Sequence, residues 1–454
     1  MPAKFFPPLF TATALFTPGQ AFAGLGGDAA ASREISRMSA QFDELEAQFK
    51  EAEQKDAYTQ GTDMSGNGDP ALSASGGPRF QLPGAPVTTQ PARIENMTFK
   101  PRGRLQLDSN SISHPAGIDA PTPGWSADVR RAYLGVEGKL GGDFGYRLEV
   151  DVATGSAQFT DAWLTYGKGP LTVTLGHHRI TSLEDVTSDL DTSMLERAAF
   201  TQAFGMERRL GLSASYGVNN LFVNVGIFAD DAETLRAGGA SNSYSADGRL
   251  VYMPRIDNTQ LHFGGSLHHR ELNDLTSVLR YRARPGARTT DLRFVDTGLI
   301  SATAETGYGL EFAAVHGPVH VAMEGFWQRV ARPGLTAPTF FGGYGEIGYV
   351  FAGGAGRPYK KGVLGTVVPV LGLNKGGAGA WQVNFRHDWL NLRDRGINGG
   401  TQRIFGASLV WVPVEYVKFI ANYLRVEVRD TPVLAGGRSD YGANVFGLRA
   451  QYHF

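Results

Sequence analysis

The sequence predicts an all-β protein: a transmembrane antiparallel β-barrel of about 16 strands, preceded by a short N-terminal coiled-coil helix. Three observations predict it. Apolar and polar residues alternate from Met97 to Phe454 in segments near the length that crosses a bilayer as tilted strand. No stretch beyond the N-terminal 23 residues reaches the roughly 18 unbroken apolar residues of a membrane helix. Glycine (59 residues) and aromatics (11%) are abundant, which suits many short strands joined by turns.

The chain divides into four parts. Residues 1–23 carry one early cation at Lys4, an apolar middle and the small-x-small end Ala21-Phe22-Ala23, which reads as a signal for export. In residues 24–56, Ala31, Ile35, Met38, Phe42, Leu45, Phe49 and Ala52 alternate spacings of four and three, an a/d seam. The seam suits self-association; a lone amphipathic helix packed on its own protein is the alternative. Residues 57–96 are rich in Gly, Pro, Ser and Thr and read as a linker. Residues 97–454 form the barrel domain.

The strands are legible one by one. In "GYRLEVDVA", Tyr146, Leu148, Val150 and Val152 share a face against Arg147, Glu149 and Asp151. The last segment sets Phe446, Leu448, Ala450, Tyr452 and Phe454 against Gly447, Arg449, Gln451 and His453. A barrel needs this many long strands in one domain and tolerates polar residues on the inner face; a soluble sandwich needs neither. In "DVRRAYLGVEGK" strict alternation groups Arg131, Tyr133, Glu137 and Lys139, leaving Arg130 on the apolar face. Either a bulge turns Arg130 inward or it sits at the aqueous end of the strand.

Net charge is −1, yet 29 of the 35 cations after residue 100 are arginine. "VLRYRARPGAR" places arginines at 280, 282, 284 and 288. In an extended chain Arg280, Arg282 and Arg284 share a face, with Leu279, Tyr281 and Ala283 opposite. A row of like charges is ruinous in a dry core and tolerable in a water-filled lumen.

Other signals carry less. There is no cysteine, hence no disulfide or thiolate metal site. His177-His178 and His268-His269 are neighbours whose side chains alternate across a strand, a poor arrangement for one metal ion. "HGPVH" at 316–320 reads as a tight turn. "FAGGAGRPYKKG" lacks nucleotide-loop spacing; Arg357, Lys360 and Lys361 read as a surface loop attracting anions or lipopolysaccharide. No G-x-S-x-G occurs, so neither a catalytic set nor a cofactor is assigned, and nothing points to nucleic acid.

The blocks "DVRRAYLGVEGKLGGDFGYRLEVDV", "FTDAWLTY", "LTVTLGHHRITSLEDVTSDLDTSMLERA", "YRARPGARTTDLRFVDTG" and "GAWQVNFRHDWLNLRDRGINGG" occur in an order that resembles the phosphate-selective porin O and P family. That resemblance implies a passive anion-selective channel of the Gram-negative outer membrane, usually trimeric, with an N-terminal periplasmic coiled coil in many members. It implies that Arg280, Arg282, Arg284 and Arg288 line the pore and lead anions, phosphate first among them, to a constriction. It assigns Arg130, Arg131, Asp161 and Arg197 to that constriction and gives Ser188 a hydroxyl contact with the anion. The connection from about 180 to 207 is implied to fold into the lumen. It departs from the best-known phosphate-selective members by carrying Asp185 where they have lysine and Asp189 where they have a second serine. That implies a less specific pore. A general or organic-acid porin is one alternative, and a barrel enzyme is another of a different class.

Overall fold

The computed structural model describes residues 97–113, 115, 117–118, 124–179, 186–205, 208–232, 243–272 and 278–454. The heptad segment, the linker and Asp185 lie outside them.

Sixteen antiparallel strands close into a barrel. They are β1 (Lys100–Ser113), β2 (Gly124–Gly141), β3 (Phe144–Asp151), β4 (Gln158–Lys168), β5 (Leu171–Arg179), β6 (Arg208–Val218), β7 (Leu221–Phe228) and β8 (Tyr244–Tyr252, resumed at Arg255–Ile256). The other half comprises β9 (Thr259–Glu271), β10 (Ala304–His316), β11 (Val319–Ala331), β12 (Thr339–Ala352), β13 (Ala380–Asp394), β14 (Ile397–Val414), β15 (Val417–Arg429) and β16 (Tyr441–His453). Each strand pairs with its sequence neighbours, and β1 closes on β16 with Arg104 opposite His453. Closure leaves no open edge in lipid, where an unmade backbone hydrogen bond is costly.

The barrel is inside out relative to a soluble protein. Leu107, Leu310, Ile347, Phe385, Phe419 and Leu448 face outward and are exposed. Between them, Asp108, Glu311, Glu346, Arg386, Lys418 and Arg449 face inward and are buried. Alternation at period two produces both surfaces from the same strands.

With an even number of strands, the start of β1 and the end of β16 lie at one end, the terminus end of the barrel. The connections at that end are turns of two residues or nearly so, with one exception: residues 353–379 between β12 and β13. The connections at the other end include two long ones, 180–207 and 272–303. The described parts of all three long segments fold into the lumen. The short helix α1 (Ala199–Phe204) closes the first of them; its Phe200 lies over Gly342, where a Cβ would fall 2.2 Å from the ring-bearing carbon. Phe200 and Phe204 join Tyr281, Phe294, Phe326 and Phe340 in a hydrophobic cluster inside the barrel, which fixes both outer-end loops to the β10–β15 wall.

Candidate functional site

The lumen narrows where these loops meet. Segment 186–198 is tied to the wall on several sides. Val186 N–H donates to Glu324 (3.3 Å), Ser193 Oγ to Glu346 (2.7 Å) and Leu195 N–H to Asn422 (3.4 Å). Lys418 Nζ donates to the carbonyls of Leu190 (2.6 Å) and Thr192 (3.2 Å). From the terminus end, the 353–379 connection reaches the same segment. Leu364 N–H donates to Val186 O (2.7 Å), and Arg357 donates to Asp191 O (2.8 Å) and Ser193 Oγ (2.9 Å). Arg357 is therefore a buried strut rather than part of an exposed anion-attracting loop.

Between the loops and the β2–β6 wall lies a cavity of about 740 Å³. Among the described residues, nine of its lining side chains are arginine and four are carboxylates. Arg130, Arg131, Arg179, Arg197 and Arg208 stand at its waist; Arg282, Arg284, Arg288 and Arg293 come from the outer loop.

A β-bulge explains how two consecutive arginines enter it. Gln106 faces Arg131 and Leu107 faces Val129, so Arg130 is an extra residue in β2 and turns inward. A second bulge at Thr160 brings Thr160 and Asp161 inward together. His177 and His178 likewise both face the interior, contrary to strict alternation. Gly176, at φ +130°, twists the strand just before them. Among the described residues no cluster of three metal-ligating side chains forms.

The carboxylates are mostly consumed by partners. Asp161 lies outside the cavity lining and bridges Arg147 (3.2 Å) and Arg208 (2.7 Å). Asp189 meets Arg104 (3.0 Å) and Arg131 (3.1 Å). Burial alone would raise its pKa, yet these arginines hold the carboxyl well below its usual range. Glu196 pairs with Arg130 (2.6 Å) and Arg449 (3.3 Å). Against the same burial, Arg130 and Arg449 hold it at about 2. Ser188 is also outside the lining: its Oγ donates to Asp191 (2.6 Å) and accepts from the Asp191 N–H (3.2 Å).

The outer arginines alternate as the sequence implies, but in a loop rather than a barrel strand. Two two-residue ladders, 278–279 with 300–301 and 282–283 with 295–296, keep the chain extended. Tyr281 and Ala283 pack into the hydrophobic cluster, and Tyr281 Oη donates to Glu305 (2.7 Å). Arg280 and Arg282 are exposed on the opposite side. Arg280 pairs with Asp296 (2.5 Å) and does not line the cavity. Arg284 meets Asp291 (3.1 Å), which is itself almost wholly exposed. Among the described residues no carboxylate lies within 4.0 Å of Arg282, Arg288 or Arg293. Burial, then repulsion from Arg284 and Arg282, pushes the Arg293 pKa down to about 10. Burial and the nearby Arg130 lower that of Arg288. These cations crowd one another.

Sequence reasoning missed three contributors: Arg179, Arg208 and Arg293. None belongs to a repeating pattern. Arg179 and Arg208 sit at the ends of β5 and β6 and Arg293 in the outer loop, and only the closed barrel with its folded loops brings them beside the others.

A lipid-facing barrel whose lumen is narrowed by infolded loops defines a channel-forming porin of the outer membrane. The chain belongs to the phosphate-selective porin O and P family, whose model matches residues 99–454. It is similar to an uncharacterized protein of Caulobacter vibrioides, 36% identical over 464 residues, which cover 95% of this chain and 92% of that one. Its fold is similar to that of a loop L8 deletion mutant of OmpT, an outer membrane protein of Vibrio cholerae. The TM-score is 0.52 at 10% identity, covering 79% of this chain and 100% of that chain. Pseudomonas putida OprB gives a TM-score of 0.51 at 10% identity, covering 78% of this chain and 94% of that chain.

Proposed function

We propose that this porin is a passive, anion-selective diffusion channel for small oxyanions, with phosphate as the leading solute. The observation that carries the reading is the excess of arginine over carboxylate around the 740 Å³ cavity, together with the absence, among the described residues, of a carboxylate within 4.0 Å of Arg282, Arg288 or Arg293. Low-dielectric walls focus this field, so anions gain and cations lose on entry. Guanidinium suits oxyanions by its forked donors. The pore-lining set is Arg130, Arg131, Arg197, Arg282, Arg284 and Arg288, to which Arg179, Arg208 and Arg293 are added. Asp161 tempers the waist through Arg208, and Arg280 and Ser188 act by holding loop shape. Residues 1–23 direct export, and the heptads of 24–56, tethered by 57–96, assist assembly as a homotrimer.

The test is the reversal potential of purified protein in a planar bilayer under a KCl gradient, followed by phosphate titration. A potential on the chloride side with phosphate block of the current supports the reading. Chloride preference without block reduces it to a general anion pore, and potassium preference overturns it.

A further inference from the structure

The outward face of the barrel is chemically divided, and the division points to a binding surface away from the lumen. At the long-loop end, which faces outside in outer-membrane barrels, the outward positions of β2 to β8 are uncharged: Trp125, Ala127, Phe159, Ile227 and Tyr244 are all exposed there. On the β11–β15 arc the same level carries arginine. Arg329 on β11 and Arg425 and Arg429 on β15 are exposed, and Arg403 on β14 is half-buried. Their strand neighbours Val330, Ile404, Val426 and Val428 face inward and are buried, so the arginines point away from the lumen.

The register gathers three of them. Arg403 lies opposite Glu427, while Arg425 and Arg429 flank Glu427 on the same face, opposite Phe405 and Thr401. Diagonal neighbours of this kind stand about 7–8 Å apart. Three arginines thus occupy the positions around one glutamate on this face. Among the described residues, no carboxylate comes within 4.0 Å of Arg329, Arg403, Arg425 or Arg429. Arg425 donates to Asn444 Oδ1 (3.2 Å), and Arg403 lies over the Trp389 ring at 5.6 Å. Just below, Phe405 and Tyr423 are exposed on the apolar band. A cationic cluster directly above aromatic residues on a membrane wall sits at headgroup level.

We propose that Arg403, Arg425 and Arg429 form a binding site for the anionic sugar headgroup of an outer-leaflet glycolipid, its acyl chains lying along Phe405 and Tyr423. Such a lipid supplies what the cluster lacks: anionic oxygens for forked donors, and apolar chains for the band beneath. Arg329, further round the arc, extends the cationic rim.

The experiment uses full-length protein reconstituted in phosphatidylcholine vesicles with or without lipid A, a phosphorylated glucosamine lipid. Bound lipid is counted by native mass spectrometry. Removing two rim arginines in the double variant R403Q/R425Q should weaken lipid A binding roughly thirtyfold. R403K/R425K, which keeps the charge and loses the fork, should weaken it only severalfold. Both variants should keep the wild-type reversal potential, because these side chains face away from the pore. Equal lipid A binding by wild type and R403Q/R425Q overturns the proposal. So does a wild type that prefers lipid A no more than phosphatidylcholine, or one whose lipid A is displaced by free inorganic phosphate alone. Cross-linking from residue 403 or 425 only to a neighbouring protein would overturn it in favour of a protein contact. None of these outcomes bears on anion selectivity, which the lumen arginines decide.

Discussion

Arg130 grips Glu196 with two parallel contacts, Nε to Oε1 at 2.6 Å and a terminal nitrogen to Oε2 at 3.0 Å. The pair joins a bulge in the barrel wall to the loop that narrows the lumen. A bidentate arginine–carboxylate contact fixes orientation as well as distance. Wall and loop therefore move together at the waist.

The first prediction concerns pH. The Glu196 carboxyl is held at about 2, below its ordinary value of 4.5, so the pair contributes fully above about 4.5. Its contribution is lost as pH falls from there through about 2. Single-channel conductance should be steady above that window and grow noisy below it. Glu196→Gln should show the acid-like noise at neutral pH while raising the chloride-to-potassium permeability ratio, because one negative charge is gone. A quiet Glu196→Gln channel would mean that the other loop anchors suffice.

Arg282 should matter to selectivity more than its neighbours in the extended row. Among the described residues it lines the cavity with no carboxylate within 4.0 Å, whereas Arg280 is bound to Asp296 and lies outside the lining. A unit charge near 4 Å acts with about 1 kcal/mol even in water, so Arg282→Gln should lower the permeability ratio roughly fivefold. Arg280→Gln should have a smaller effect. A cysteine at 282 should react with a charged thiol reagent and block current, while one at the buried Tyr281 should not. Reaction at both positions would show that the loop does not hold its packed form in the membrane.

Asp189 is the next residue to test. It neutralises Arg104 and Arg131 at the cavity edge. Asp189→Ser should release both guanidinium groups and lower the phosphate concentration that half-blocks chloride current about tenfold, the effect of roughly 1.4 kcal/mol. An unchanged blocking concentration would remove Arg104 and Arg131 from the phosphate path.

How much of this was legible in the sequence follows from the range of the forces involved. Strand alternation is local, so the sixteen staves and the inverted faces can be read residue by residue, Leu148 outward and Glu149 inward among them. Even the misfit at Arg130 was visible, because a bulge breaks a period that is otherwise kept. The alternation of Arg280, Arg282 and Arg284 was real, but its cause was not lipid on one side. Tyr281 and Ala283 are buried by the interior aromatic cluster, which local pattern cannot distinguish from a membrane. The inward pair His177-His178 depends on one glycine torsion. The 353–379 insertion depends on contacts with residues far away in sequence, such as Arg357 with Ser193, and a Gly-rich stretch carries no sign of them. Closure of the waist is a tertiary event.

Lys418 supplies the last prediction. Its ammonium is buried and donates to Leu190 O and Thr192 O on either side of Asp191, while Gln451 also reaches Leu190 O at 3.2 Å. Among the described residues no carboxylate lies within 4.0 Å of it, so its worth rests on those two carbonyls. Charged hydrogen bonds of this kind contribute about 1.5–3 kcal/mol each, and a buried carbonyl left unmade costs a similar amount. Lys418→Met keeps the length of the side chain and removes the donors. It also removes a buried cation, which offsets part of the loss. A net destabilisation of about 2 kcal/mol is expected, measured as a lower temperature for the heat-induced mobility shift on gels. Because the loop is released at its centre, the larger effect should be on open-channel noise, with selectivity nearly retained since the lining arginines stay in place. If both noise and thermal shift match the wild type, the remaining anchors, Gln451 and Arg357 among them, suffice to hold the loop, and the lysine is a bystander to the constriction it touches.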